Sequence, residues 1–191
     1  MIRLVAKNFE CFPIDNHAND RLSPIIEKIS KIEHHVSIGD KNSNSFTSDF
    51  DSRLQKKLTE LGGEIIDIPI VDDLEKKYDF ALDINNDRVV VEIEKTNREK
   101  ILYDLLKCHI YLKSGASLVM LFLPKNYAHS KGIWNLFETG KIRYSQCLKY
   151  GFGHTSYFKS ILLVGYEMFT GDNEKVTPSV RAKLIAKNKN V

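Results

Sequence analysis

Residues 78–95 read YDFALDINNDRVVVEIEK. Val89, Val90, Val91 and Ile93 give the second half the β-branched character of a strand, and Asn85-Asn86-Asp87 supplies a turn between two arms. With Asn86-Asp87 as a two-residue loop, Asn85 pairs with Arg88, Ala81 with Glu92 and Asp79 with Glu94. Strand side chains alternate between faces, so Tyr78, Phe80, Leu82, Ile84, Val89, Val91 and Ile93 share one side. Asp79, Asp83, Glu92 and Glu94 share the other. Like charges opposed across a hairpin repel, so this acidic face calls for a partner. A hard divalent cation such as Mg²⁺, which prefers carboxylate oxygens, is the simplest.

Working outward, the segment after Lys95 has the pattern of a helix. Thr96 or Asn97 can cap it, Ile101, Leu105, Cys108 and Leu112 form its apolar stripe, and Gly115 ends it. SLVMLFLP, 117–124, is a continuous apolar run, the signature of a strand covered on both faces. A right-handed crossover lays it parallel to the second hairpin arm. Upstream, Phe50, Leu54, Leu58 and Leu61 predict a helix over 49–61 that stops at Gly62-Gly63, followed by a strand over 64–70 and the charged loop VDDLEKK. The order from residue 49 is then α, β, β, β, α, β, with a short helix at 133–138 and a strand at 160–166 to follow; 142–150 is of undecided type. This implies a mixed sheet flanked by helices, of α/β or α+β class. Ahead of it, Ile2 to Ala6 reads as a short strand. SPIIEKISKIEHHV, 23–36, reads as a helix with Ser23 as cap and Pro24 in its first turn. IGDKNSNSFTS, 38–48, is a polar loop.

The chain has 191 residues, 42% of them hydrophobic and 28% charged, with a net charge of +3. That suits one domain, 1–191, with a core over about 50–167 and a basic tail over 175–191 carrying Arg181, Lys183, Lys187 and Lys189. The mild positive charge permits nucleic-acid binding. No apolar run of about 18 residues suggests a membrane span, and MIRLVAKNFECF lacks the apolar core of a signal peptide. Cys11, Cys108 and Cys147 are odd in number and widely spaced, which argues against a zinc site or disulfide framework and for a reducing cytoplasm. His34-His35 has no metal-ligand spacing and reads as structural or exposed.

An Asp on one strand, a turn, a Glu-x-Glu on the next strand and then a helix make up a recognisable pattern. Here it is Asp79, then Glu92-Ile93-Glu94, then NREKILYDLLKCHIYL. It resembles the PD-(D/E)XK nuclease superfamily, and within it the type II restriction endonucleases of the BamHI, BglII and BstYI group, in which Glu replaces the usual Lys at the third position. The likeness spans roughly residues 50–125. It implies a restriction-endonuclease-like fold and Mg²⁺-dependent hydrolysis of phosphodiester bonds in double-stranded DNA, by a homodimer at a short sequence, with no organic cofactor. Asp79 and Glu92 would hold one or two Mg²⁺ ions, and Glu94 would act as general base or share the metal. Glu60 resembles an additional acidic residue near the metal. Lys95, Asn97, Arg98 and Lys100 follow the motif where DNA phosphates would be met. The segment after Glu-x-Glu departs from the group's Asn-Asn-Lys-like stretch, and YGFGHTSY, 150–157, reads equally as a DNA-facing loop or a turn. The alternatives are a repair or recombination nuclease of the same superfamily and a non-catalytic DNA-binding protein on the same fold.

Overall fold

In the computed structural model, residues 2–36, 49–70, 77–129, 132–152 and 155–189 are described. The elements are β1 (Ile2–Phe12), α1 (His17–Ile26), β2 (Lys31–Val36), α2 (Phe50–Glu60), β3 (Glu64–Ile66), β4 (Phe80–Ile84), β5 (Asp87–Ile93), α3 (Ile101–Lys113), β6 (Leu118–Pro124), β7 (Tyr127–His129), β8 (Gly132–Trp134), α4 (Leu136–Tyr150), α5 (Thr155–Phe158), β9 (Ile161–Thr170) and α6 (Pro178–Lys189). Seven strands form one mixed sheet in the order β2-β1-β9-β6-β5-β4-β3, and β7 and β8 form a separate pair. The fold is mixed α and β, as the sequence implied. The polar loop 38–48 and nearly all of VDDLEKK lie outside the described residues, as do Gly153 and His154 of the aromatic loop.

The hairpin forms one residue earlier than the sequence suggested. Ile84 pairs with Asp87 and Ala81 with Val90, so Asn85-Asn86 is the loop. Both have positive φ, 54° and 66°, the pairing of signs that a type I′ turn requires and that Asn tolerates. A loop moved by one residue moves the register by two, which preserves every face. Phe80, Leu82, Val89, Val91 and Ile93 accordingly fall in one core layer, and Ala81 and Val90 in the other. Tyr78, ahead of the strand, turns to the second layer, where its ring meets Tyr111 edge-on. Asp83 accepts a hydrogen bond from the Asn86 amide at 3.0 Å, so it braces the turn.

β6 runs parallel to both β5 and β9. Each of its residues is buried, because α1 and α2 cover one side of the sheet and α3 and α4 the other. α4 comes very close to β6 and β9. A Cβ on Gly140 would lie 2.5 Å from Leu123 Cδ1, so any larger residue there would force the Leu123 side chain to move.

Several expectations are corrected. The strand expected over 64–70 is confined to Glu64–Ile66. Residues 23–36 are not one helix: α1 begins at His17, where Asn16 caps it by accepting from the Asn19 amide at 2.8 Å, and Pro24 lies inside it. KIEHHV is strand β2, antiparallel to β1, with Ile32, His34 and Val36 buried in alternation. Residues 133–138 do not form a short helix; Gly132–Trp134 is a strand and α4 runs on through the undecided stretch to Tyr150. The basic tail is helical over Pro178–Lys189 and is anchored through the buried Val176 and Val180. Among the described residues no helix is long and apolar enough to cross a membrane.

Candidate active site

The end of the hairpin away from its turn meets the first turns of α2 and α3, and there the charged residues gather. Asp79, just ahead of β4, accepts a hydrogen bond from the Ile93 amide at 2.7 Å. This clips the end of one arm to the other and sets its carboxylate against Glu92. Glu92 is 4% exposed and faces α3, where it is ion-paired to Lys107 and accepts from the Tyr111 hydroxyl at 3.1 Å. Burial of a carboxylate without such partners would cost several kcal/mol.

Glu94, 4% exposed, works differently. Its Oε1 accepts from the amides of Thr96 and Asn97, at 2.9 and 2.8 Å, and its Oε2 lies 3.1 Å from the Lys100 ammonium. The residue expected to be a general base is thus engaged in shaping the bend into α3. Lys100 also faces Asp104 at 3.3 Å, and Lys107 faces it at 3.6 Å. Asp104 is fully buried, and its oxygens accept no well-formed hydrogen bond. The result is a chain of alternating charge, Glu94, Lys100, Asp104, Lys107, Glu92, running across α3 into the sheet.

Asp79 stands at the solvent edge of this chain. Its carboxyl is pushed up to about 6, first by desolvation and then by the charge of Glu92. Asp104 is likewise pushed up to about 6 by burial, with Lys100 pulling the other way. For Lys100, burial acts to lower the ammonium, but the charges of Asp104 and Glu94 outweigh it and hold the group above its ordinary value. Asp79 therefore sits in a locally negative field that the nearby lysines do not fully cancel.

The acid on α2 that reaches the site is Asp51, ion-paired to Lys95, and its charge also acts on Asp79. Glu60 does not reach it. It is exposed, 3.4 Å from Lys57, and at about 1.5 Å per residue it lies roughly 13 Å along α2 from Asp51. Lys95 and Lys100 are held by carboxylates of the chain itself. Asn97 braces the turn ahead of α3, its side chain accepting from the Glu99 and Lys100 amides at 3.0 and 3.3 Å. Arg98 is exposed and lines a cleft of about 240 Å³ with Trp134 and Ile142.

Sequence reasoning missed Lys107, Tyr111, Asp104 and Asp51. Asp104, Lys107 and Tyr111 were visible as polar intrusions at spacings of three and four beside the apolar stripe of α3, where a solvated face would otherwise explain them. Among the described residues no group of three or more His, Cys, Asp or Glu is arranged to hold a metal ion. Mg²⁺ needs less, since it is commonly held by one or two carboxylates and keeps several waters. Asp79 and Glu92 supply hard oxygen donors, and although burial comes first in raising Asp79, the charge of Glu92 adds to it, a repulsion that a cation would relieve, so these residues fit that ion.

No family model, curated protein or solved structure matches the chain in comparisons with all three.

Proposed function

We propose that the protein is a Mg²⁺-dependent endodeoxyribonuclease that cuts double-stranded DNA at a short specific sequence. The observation that carries this reading is the meeting of Asp79 and Glu92 at the carboxyl end of β5, beside a parallel strand and under the helix that follows. In sheets of this kind the carboxyl ends of parallel strands are where ligands are met. The run α2, β3, β4, β5, α3, β6 is also the order in which the motif's strand, turn, strand and helix were read.

A bound Mg²⁺ ion would supply Lewis-acid polarisation of the phosphate and an acidified water. Asp79 and Glu92 would hold it. One oxygen of Asp79 is tied to the Ile93 amide, which fixes the carboxylate in place, and the other would be left for the ion. Glu92 is aimed by Tyr111 and balanced by Lys107, so an ammonium stands beside the carboxylate even though Glu94 occupies the usual lysine position. Glu94 keeps Lys100 at the rim, where it would neutralise part of an arriving phosphate's charge. Arg98, exposed just ahead of α3, would add a second phosphate contact.

The test is incubation of the full chain with plasmid DNA and Mg²⁺, followed by sequencing of the ends. Discrete fragments with one common end sequence are expected, and Asp79→Asn and Glu92→Gln should each lower cleavage by about a hundredfold or more. A smear or structure-selective nicks would move the reading to a repair nuclease. Retained cleavage in both variants, or DNA binding without cleavage at any Mg²⁺ concentration, would sink it.

A further inference from the structure

Two hollows run end to end along the outer side of α4. A groove of about 450 Å³ shares Phe12 and Ser145 with a pocket of about 360 Å³. Glu138, Lys141, Ile142, Ser145, Gln146 and Lys149 line the groove, at helical spacings that put all six on one side of α4. From Glu138 to Lys149 that side is roughly 17 Å long, room for about five extended residues of another chain. The pocket is walled by Phe12, Tyr144 and Phe158, whose rings meet edge-on at 5.7 and 5.0 Å. Its polar groups point inward. Asn16 donates to the Phe158 and Ile161 carbonyls at 3.3 and 2.9 Å, and the Tyr144 hydroxyl donates to the Phe158 carbonyl at 2.7 Å. A nucleic-acid base seated there would leave its edge groups without partners. A bulky apolar side chain would instead be desolvated, as the anchors of interfaces are. Leu148 and Tyr150 of the lining are 40% and 64% exposed, and Ile14 and Phe152, close to lining residues in the chain, are 76% and 59% exposed. Apolar surface gathered in this way marks a contact site.

The charge around these hollows is mostly positive. Lys141, Lys149 and Lys159 stand there with Glu138 and Asp15. Glu138 is held by Lys141 at 2.7 Å, while Lys149 and Lys159 are exposed and ion-paired to no carboxylate among the described residues. We propose that the hollows dock an acidic polypeptide segment of another protein. One bulky apolar side chain of that segment sits among Phe12, Tyr144 and Phe158, and its carboxylates are drawn to Lys149 and Lys159. Asn16 ties the pocket to Ile161, where β9 starts, and β9 and β5 both run parallel to β6. The pocket thus lies towards the amino ends of these strands, whereas Asp79 and Glu92 lie at the carboxyl end of β5. A partner anchored there leaves the acids uncovered, so docking and cleavage are separate properties, and either can fail while the other stands.

A displayed library of short random peptides, selected on the full chain, tests it. The enriched peptides should share an aromatic or large aliphatic residue flanked by Asp and Glu. The best of them, made synthetically and labelled, should bind more weakly as salt is added. Leu148→Glu should weaken that binding at least about tenfold. Lys149→Glu combined with Lys159→Glu should weaken it at least about tenfold as well and remove most of its salt dependence. All three positions are exposed, so the circular dichroism of the variants should stay that of the wild type. An unlabelled single-stranded oligonucleotide should not displace the peptide. No enrichment, enriched peptides without the acidic and apolar pattern, or binding untouched by the variants would each overturn the proposal. Displacement by the oligonucleotide would overturn it in favour of nucleic acid, and self-association of the chain that Leu148→Glu abolishes would overturn it in favour of a second copy.

Discussion

Lys107 takes an ammonium 2% exposed into the layer beneath α3, and its survival there depends on Glu92 and Asp104. Removing one partner of a buried pair leaves the other charge uncompensated, at about 3–5 kcal/mol. Lys107→Met should lower stability by that order in urea unfolding, and the double variant Lys107→Met/Glu92→Gln should recover part of it. If the two changes simply add, Lys107 and Glu92 are not an energetic unit. Asp79 behaves in the opposite sense. Its carboxyl is raised from 3.8 to about 6, so the native state holds this proton more tightly than the unfolded chain does. Its contribution to stability therefore falls as pH rises from about 4 to about 6 and is a standing penalty above that. Asp79→Asn, whose amide oxygen can still accept from the Ile93 amide, should be more stable than the wild type at pH 7.5 by about 0.5 kcal/mol after solvent screening. The difference should vanish below pH 4, as thermal melts across that range would show. The four carboxylates were legible in the sequence because a strand's period of two is strict; the lysines that answer them were not, because their pairing depends on how α3 lies on the sheet.

At the scale of elements, the hairpin shows why faces are easier to read than registers. Three consecutive turn formers, Asn85-Asn86-Asp87, leave the loop position open by one residue, and either choice gives the same alternation. The observed loop puts both asparagines at positive φ, a conformation that costs most other residues about 1–2 kcal/mol each. Asn85→Ala with Asn86→Ala should accordingly destabilise by about 2 kcal/mol, whereas Asn86→Gly should be neutral or stabilising; equal effects from the two changes would rule out the type I′ loop. β2 was misread for a different reason. Ile25, Ile29 and Ile32 hold a helical spacing across the real break, and the alternation of Ile32, His34 and Val36 is too short to outweigh it. The pairing of KIEHHV with β1 decides the matter, and that is a long-range contact no local pattern carries. The strand after α3 was readable because helices cover both faces of β6, so its composition alone announces its place.

For the whole molecule, the position of the acids is set by architecture. α2, the hairpin and α3 are separate elements, each stable for its own packing reasons, and their ends converge on Asp51, Asp79 and Glu92. Asp79 is raised there first by desolvation and then by the charge of Glu92, and a bound cation would favour its ionised form against both. A ligand that binds only the folded state adds RT ln(1 + [L]/Kd), about 1.4 kcal/mol at ten times Kd. For a chain of this size that corresponds to a rise in melting temperature of about 3–6 °C. Mg²⁺ should therefore raise the wild-type melting temperature by that amount at neutral pH, and chelation with EDTA should reverse it. Sodium chloride at matched ionic strength should not reproduce it, because screening acts on every exposed charge rather than on one pair of carboxylates. Asp79→Asn should be the revealing variant: more stable than the wild type without Mg²⁺ and unresponsive when Mg²⁺ is added. An equal shift in that variant would place the cation elsewhere on the surface and remove Asp79 and Glu92 from the metal chemistry.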